Sequence, residues 1–200
     1  IQPSAPGRGR IDCHTRAKYA IMVLTAALAG RHAAPGRAGS LPGLLEKAVY
    51  VLSQITRITH SPEETRQLAR EIAPLLRPGD LLAYRGGMGA GKTTFTAGLA
   101  QGLGLGDVVS SPTFALVNEY RGNGISLCHF DMFRIRGFDD LYSTGFFDYL
   151  EGDAILAVEW SENMDGALPQ GATVITFDPA GEDARRITIE GDERFDHLGC

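Results

Sequence analysis

Cysteine is scarce in this chain of 200 residues, which contains only Cys13, Cys128 and Cys200. The odd number, the wide spacing and the lack of a Cys-x-x-Cys pair exclude a disulfide framework or a cysteine-based metal site. Long apolar runs are also missing. The run at 19–29 is too short to cross a bilayer. We therefore expect a cytoplasmic protein with reduced thiols and no membrane partner.

Basic charge is in short supply over most of the chain. The formal net charge is −5, yet residues 1–45 contain six basic side chains and one acidic one, so the acidic excess belongs to 46–200. An acidic body does not attract a nucleic-acid backbone through its overall field. Any contact with nucleic acid is therefore expected through a local patch or a partner protein.

The N-terminal stretch differs in composition from the rest. Residues 1–50 are rich in Ala, Gly, Arg and Pro, and residues 27–29 have the A-x-A form of a signal-peptidase site. The poverty in acids also suits an organelle transit peptide. The preferred prediction is a poorly ordered extension over 1–50 followed by one domain over 51–200. Whether the mature protein contains the extension stays open, as does the choice between helix and strand for 44–52.

The rest of the chain alternates short strands with helices. Ser61, Pro62 and Glu64 predict a helix start with a capping box, and residues 121–124 predict a hairpin turn. Apolar or β-branched runs predict strands at 55–59, 81–85, 114–120, 126–130, 154–158, 173–177 and 186–190, and helices are predicted at 92–103 and within 138–149. This order predicts a three-layer α/β fold of the P-loop NTPase type. Its sheet is mostly parallel with antiparallel additions, and helices cover both faces.

A phosphate-binding loop lies between the predicted strand at 81–85 and the helix at 92–103. The segment reads Gly-Gly-Met-Gly-Ala-Gly-Lys-Thr and matches G-x-x-x-x-G-K-[ST] in full. Glycine permits the dihedrals that aim backbone N–H groups at phosphate, and the helix N-terminus adds partial positive charge. Lys92 is predicted to reach the β- and γ-phosphates, and Thr93 to bind Mg²⁺. The ATP-binding residues predicted here are Gly87, Met88, Gly89, Ala90, Gly91, Lys92, Thr93 and Thr94.

P-loop enzymes also need a carboxylate on the magnesium side, and two acids follow apolar runs. Glu159 ends the strand at 154–158, and Asp131 ends the strand at 126–130. We predict that Glu159 serves Mg²⁺ together with Thr93, and that Asp131 lies near the γ-phosphate or positions water. With Lys92 these acids form the predicted catalytic set. The alternative is that one acid only caps a strand end or pairs with an arginine such as Arg134.

Three further blocks make the chain resemble one family. Residues 111–114 read Ser-Pro-Thr-Phe and are trailed by Tyr120, residues 129–134 read His-Phe-Asp-Met-Phe-Arg, and residues 158–160 read Val-Glu-Trp. With the phosphate loop, their order and spacing resemble the TsaE family, the bacterial ATPases of threonylcarbamoyladenosine formation in tRNA. The resemblance covers about residues 55–190. It departs mildly from the family pattern at 129–134, where Met and Phe replace Leu and Tyr.

The resemblance implies a function and several residue roles. A TsaE protein acts with the TsaB and TsaD proteins and meets tRNA only indirectly through that complex. Residues 111–113 are implied to act as a switch, in which Thr113 contacts phosphate or metal only while the triphosphate is bound. Residues 59–64 are implied to approach adenine, although capping explains Ser61 and Glu64 equally well.

Several side chains keep two interpretations. Trp160 either stacks on a nucleotide or partner surface or packs beside the sheet. We include it, with Thr113, among the predicted ATP-binding residues. His129 is expected to face a neighbouring strand rather than to act as a catalytic base. Arg134 and Arg136 are expected to form surface ion pairs rather than to stabilise the charge of a transferred group.

Two other functions stay open beside the predicted ATPase. A small-molecule kinase shares the phosphate loop, but such enzymes generally add a mobile arginine-rich lid over the acceptor. After Lys92 the arginines are scattered, with no cluster in mid-domain. The other alternative is an ATP-gated binding module in which hydrolysis is incidental.

Overall fold

The computed structural model describes residues 53–199. Several predictions lie outside that range, namely those on residues 1–50, on the segment 44–52, and on Cys13 and Cys200. The proposed domain boundary therefore stays a prediction. Cys128 is buried and is a free thiol. Within residues 53–199 no helix combines the length and the apolar character that crossing a membrane requires.

One seven-stranded sheet organises the described residues. Its strands are β1 (Ser53–Thr59), β2 (Leu81–Arg85), β3 (Val117–Gly122), β4 (Ile125–Asp131), β5 (Ile155–Glu159), β6 (Thr173–Pro179) and β7 (Arg185–Gly191). The spatial order is β1-β7-β6-β2-β5-β4-β3. The central neighbours β6, β2, β5 and β4 are parallel, while β3, β7 and β1 add antiparallel pairings at the edges. This arrangement confirms the predicted fold class.

Helices lie on both faces of the sheet. They are α1 (Pro62–Ile72), α2 (Lys92–Gly102), α3 (Phe138–Ser143) and α4 (Phe146–Leu150), with 3₁₀ turns at Ala73–Leu75, Ser161–Ala167 and Glu193–Gly199. Successive strand residues point to opposite faces. On β4, Leu127 joins the core that includes α1 and α2, whereas Phe130 meets Phe146 of α4 with ring centroids 5.3 Å apart.

The core beneath α2 fixes the position of the phosphate loop. Tyr84 of β2, Phe95 of α2 and Phe177 of β6 form an edge-to-face trio, with centroid distances of 5.4–5.8 Å. All three rings are fully buried, so they attach α2 firmly to the strand that precedes it. Helices α1 and α2 also approach closely, since a Cβ at Gly98 would lie 2.3 Å from the carbonyl oxygen of Arg66.

The predicted N-cap of α1 is present with one difference. The hydroxyl of Ser61 accepts a hydrogen bond of 3.1 Å from the backbone N–H of Glu64. The Glu64 carboxylate, however, accepts from the backbone N–H of His60 at 2.7 Å instead of from that of Ser61. The His60 ring lies 3.1 Å from the same carboxylate oxygen and draws it one residue further back.

Two predicted elements differ from the structure. The strand predicted at 114–120 begins only at Val117, because the carbonyl of Pro112 accepts from the N–H groups of Ala115 and Leu116 and turns the chain. The helix predicted within 138–149 is divided into α3 and α4 at Gly145, whose φ of 73° is left-handed.

Candidate functional site

The phosphate loop connects the end of β2 to the start of α2. Gly86, Gly89 and Gly91 have φ values of 134°, 73° and 105°, which L side chains rarely adopt. At Gly86 a side chain is excluded for two reasons: the φ value, and an added Cβ that would lie 2.6 Å from the carbonyl oxygen of Phe177. The loop therefore depends on glycine for its path, as its sequence predicted.

Lys92 begins α2 and folds back over the loop. Its Nζ donates to the carbonyl oxygens of Gly86 at 2.6 Å and Gly87 at 2.9 Å, and lies 4.2 Å from the centre of the Trp160 ring. An ammonium has three hydrogens, so one remains available to a ligand. Burial lowers the pKa of Lys92, and the negative charges of Glu159, Glu162 and Asp131 partly oppose that shift.

Thr93 and Glu159 are joined directly. The Thr93 hydroxyl donates to Oε1 of Glu159 at 2.7 Å, and Nε2 of His129 lies 2.9 Å from the same oxygen. Glu159 is only 5% exposed, and burial by itself would raise its pKa. The hydrogen bonds from His129 and Thr93, together with the positive charge of Lys92, oppose the effect of burial and hold the pKa of Glu159 below its usual value. The carboxylate is therefore ionised near neutral pH.

Asp131 ends β4 beside Glu159, with which it is in register across the parallel pair. Its Oδ2 accepts a hydrogen bond of 2.8 Å from the Thr113 hydroxyl, which lies 2.7 Å from the hydroxyl of Ser111. Its Oδ1 accepts from the backbone N–H of Phe133 at 2.9 Å. Asp131 therefore connects the segment at 111–113 to the end of β4, beside Glu159.

A cleft of about 420 Å³ opens between these groups. Its lining contains Met88, Gly89, Ala90, Gly91, Lys92, Thr93, Thr94, Ser111, Thr113, Phe114, Asp131, Phe133, Glu159 and Trp160. The ring of Trp160 contacts both the Lys92 ammonium and the ring of Phe133, whose centroid is 5.0 Å away. Trp160 has a left-handed φ of 58°, and strain of this kind in a residue other than glycine is common at functional sites.

The donor set at Thr93 and Glu159 fits Mg²⁺. Both ligands are hard oxygens, which Mg²⁺ prefers, and neighbouring ligands of an octahedral ion lie about 3 Å apart, close to the observed 2.7 Å. Within residues 53–199 no group of three or more His, Cys, Asp and Glu could hold a metal by itself. Mg²⁺ is typically bound by one or two side chains together with substrate phosphates and water, so a two-ligand site suits this ion.

The structure brings the predicted site residues together. Every one of them lines the cleft except Gly87, which contributes its carbonyl to Lys92. The prediction did not include Phe133 and Phe114 in the lining, although both belong to the blocks at 111–114 and 129–134. Arg134 lies over the ring of Phe114 with its Cζ 5.6 Å from the centroid, an arrangement that the expected ion pair did not anticipate.

Two predictions about neighbouring residues have different outcomes. His129 faces the adjacent strand, as expected, and reaches Glu159 there. Ser61 and Glu64 form the helix cap, which explains their presence without a ligand. Contact of residues 59–64 with adenine stays a prediction.

Comparisons with known proteins found matches over most of the described residues. The family model of the threonylcarbamoyl adenosine biosynthesis protein TsaE matches residues 59–187. The tRNA threonylcarbamoyladenosine biosynthesis protein TsaE of Bacillus subtilis is 39% identical over 138 residues, which are 69% of this chain and 86% of that protein. The protein of the same name from Treponema pallidum is 30% identical, over 66% of this chain and 97% of its own length.

A solved structure is also similar. The crystal structure of YdiB from Bacillus subtilis superposes with a TM-score of 0.60 at 35% sequence identity. The superposition covers 75% of this chain and 93% of that one.

Proposed function

The chain belongs to the TsaE family, and from this premise we propose that it is the ATP-binding and ATP-hydrolysing subunit of the machinery that forms threonylcarbamoyladenosine in tRNA. The names of its relatives refer to that biosynthesis. ATP turnover and the requirement for Mg²⁺ are our extension. They rest on the chemistry of the cleft.

One observation supports this function above the others. A buried lysine, a helix-start hydroxyl and two strand-end carboxylates converge on one cleft beside a glycine loop. These groups are Lys92, Thr93, Asp131 and Glu159, which come from three separate parts of the chain. Their combination is what phosphoryl chemistry requires, namely positive charge for phosphate, oxygen ligands for a cation and an acid near the reacting group.

Each residue has a distinct proposed role. The loop amides from Gly87 to Thr93 and the Lys92 ammonium bind the phosphates, and Trp160 packs against the bound nucleotide. Thr93 and Glu159 would hold Mg²⁺, which would neutralise negative charge on the bound phosphates. Asp131 orients the attacking water. Thr113, which bonds Asp131, is the residue through which the segment at 111–113 responds to the γ-phosphate.

The proposed partners are the TsaB and TsaD proteins, and the proposed compartment is the cytoplasm. TsaB and TsaD perform the transfer to adenosine, while this chain resets their complex by hydrolysing ATP. Contact with tRNA is indirect. The acidic excess of residues 46–200 supports this division of labour, because it disfavours direct binding to a nucleic-acid backbone.

A kinase activity is less well supported. The described residues that line the cleft include no arginine, whereas the kinases considered above close an arginine-rich lid over their acceptor. The arginine closest along the chain to Asp131, Arg134, lies instead over the ring of Phe114. Hydrolysis, with water as the acceptor, needs no such lid.

Reconstitution tests the proposal. The chain is combined with TsaB, TsaD, the threonylcarbamoyl-adenylate synthase, ATP, Mg²⁺ and tRNA, and modified tRNA is counted per complex. We expect repeated turnover with the wild type and none beyond background with Lys92→Ala. Arg121→Ala, an exposed change in the β3–β4 hairpin, is the control and should behave as wild type. Repeated turnover without this chain, or with Lys92→Ala, would contradict the proposal.

A further inference from the structure

His129 has no role in the function proposed so far, although its ring contacts Glu159, which lines the cleft. The residue is on β4 and is completely buried. Its backbone is in register with Ala157 of β5, and Glu159 lies two residues further on the same face. The ring reaches diagonally across the two strands, so that Nε2 lies 2.9 Å from Oε1 of Glu159.

The direction of this hydrogen bond follows from the carboxylate. An ionised carboxylate can only accept, so Nε2 of His129 carries the hydrogen and donates it. The other ring nitrogen, Nδ1, is buried and has no hydrogen-bond partner among residues 53–199. The contact with Glu159 is thus the one polar interaction of the ring within that range. A buried polar ring that served packing alone would be destabilising compared with an apolar side chain.

Two donors from different elements fix the same oxygen. Thr93 approaches Oε1 of Glu159 from α2, and His129 approaches it from β4. Under the proposed function the Thr93 hydroxyl would bind the metal, so its hydrogen bond to Glu159 would be free to rearrange. The His129 bond is not at the ligand and can persist. Groups that orient a metal-binding carboxylate in this way typically change metal affinity or activity by about 10–100-fold when removed.

We propose that His129 is a positioning residue that holds the Glu159 carboxylate in place for the Mg²⁺ of the bound nucleotide. The inference rests on the proposed function, in which Glu159 and Thr93 hold that ion. It adds that the N–H of His129 sets the affinity for Mg²⁺, while His129 itself touches neither nucleotide nor metal.

Two amide substitutions separate positioning from packing. In His129→Gln the side-chain amide nitrogen lies at about the reach of Nε2 and can still donate to Glu159. In His129→Asn the amide is one carbon shorter and stops near the position of Nδ1. Both replace an imidazole by a smaller amide, so both disturb the core in a similar way. Leu127→Val is the packing control, because Leu127 is a fully buried residue on the same face of β4 and belongs to the apolar core.

The measurement is a Mg²⁺ titration of ATP binding, followed by tryptophan fluorescence, with ATP binding in EDTA and melting temperature measured in parallel. We expect His129→Asn to need about 10–100-fold more Mg²⁺ for half-maximal binding. His129→Gln and Leu127→Val should stay close to the wild type, and binding in EDTA should be unchanged in all of them. Equal Mg²⁺ dependence in the Asn, Gln and wild-type proteins would overturn the inference and leave the proposed function intact.

A second measurement needs neither metal nor nucleotide. The imidazole ¹H–¹⁵N spectrum of the free protein should contain a slowly exchanging Nε2–H resonance from His129. Glu159→Ala should abolish its protection, whereas Arg121→Ala should not. Absence of that resonance from the wild type would overturn the inference on its own. A wild type that shows the resonance but binds no ATP in Mg²⁺ would instead contradict the proposed function.

Discussion

The hydroxyl of Thr93 and the carboxylate of Glu159 are joined by a hydrogen bond of 2.7 Å, which connects the first turn of α2 to the last residue of β5. The two residues are far apart in the sequence and belong to neighbouring layers of the fold. Their contact places two oxygen donors, which are the ligand type that Mg²⁺ prefers, directly beside the phosphate loop.

Replacing Glu159 by Gln should abolish most Mg²⁺-dependent ATP hydrolysis. The amide keeps the volume of the side chain but removes the negative charge that attracts Mg²⁺. We therefore expect the rate of hydrolysis to fall by about 10–100-fold. ATP hydrolysis by single-turnover assay measures the effect. The matched control is Glu162→Gln, an exposed acid in the 3₁₀ turn that follows β5. Equal rates for Glu159→Gln and Glu162→Gln would remove Glu159 from the metal site.

Thr113→Val should uncouple the segment at 110–116 from the γ-phosphate. The change keeps the shape of the side chain but removes the hydroxyl that donates to Asp131. In the wild type we expect slower amide hydrogen exchange in this segment with ATP and Mg²⁺ than with ADP and Mg²⁺. The variant should lose that difference while it still binds both nucleotides. If the exchange difference persists in Thr113→Val, Thr113 is only a residue of the turn before β3.

Two adjacent glycines of the loop should respond differently to alanine. Gly86→Ala forces a left-handed φ on an L residue and drives its Cβ against the Phe177 carbonyl, so we expect a loss of about 1–3 kcal/mol of stability. At Gly87 an added Cβ meets nothing within 4 Å, so the change should stay within about 0.5 kcal/mol. Urea unfolding measures both. A Gly86→Ala protein as stable as Gly87→Ala would contradict the described loop.

Acid should weaken the ion pair between Asp192, which follows β7, and Arg194 at the start of the C-terminal 3₁₀ turn. The hydrogen bonds from Arg194 lower the pKa of Asp192, and burial opposes this only partly. A carboxyl with a lowered pKa in the folded state stabilises it above the unfolded pKa of about 4, and that contribution is lost as the pH falls through the folded value. Between about pH 5 and about pH 2 the melting temperature should therefore fall less for Arg194→Met than for the wild type. If the melting temperatures of the two proteins fall equally with pH, the stabilising role of the Asp192–Arg194 pair is contradicted.

Trp160 should report nucleotide binding directly, since it is the only tryptophan of the chain. Its ring lies against the Lys92 ammonium, 4.2 Å from its centre, and binding of a phosphate by that ammonium should change the fluorescence of the ring. We expect an emission change on addition of ATP and Mg²⁺ to the wild type, and none in Lys92→Met. A change of the same size in Lys92→Met would place the nucleotide elsewhere.

The sequence predicted those parts of the site whose causes are local. The phosphate loop was recognisable because its glycines, lysine and threonine must occur at fixed spacing. Glu159 and Asp131 were recognisable because each follows an apolar strand. The bond from His129 to Glu159 could not be derived in this way, since it depends on the register between β4 and β5. Hydrophobic periodicity likewise could not show that Leu116, with a φ of 71°, ends a turn before β3 begins.

The most direct measurement is a crystal structure with a non-hydrolysable ATP analogue and Mg²⁺. We expect the triphosphate to be enclosed by the main-chain amides between Gly86 and Thr93, with the ion shared between the Thr93 hydroxyl and the Glu159 carboxylate or a water bound to it. Clear density for the analogue at another surface, with the loop unoccupied, would contradict the account.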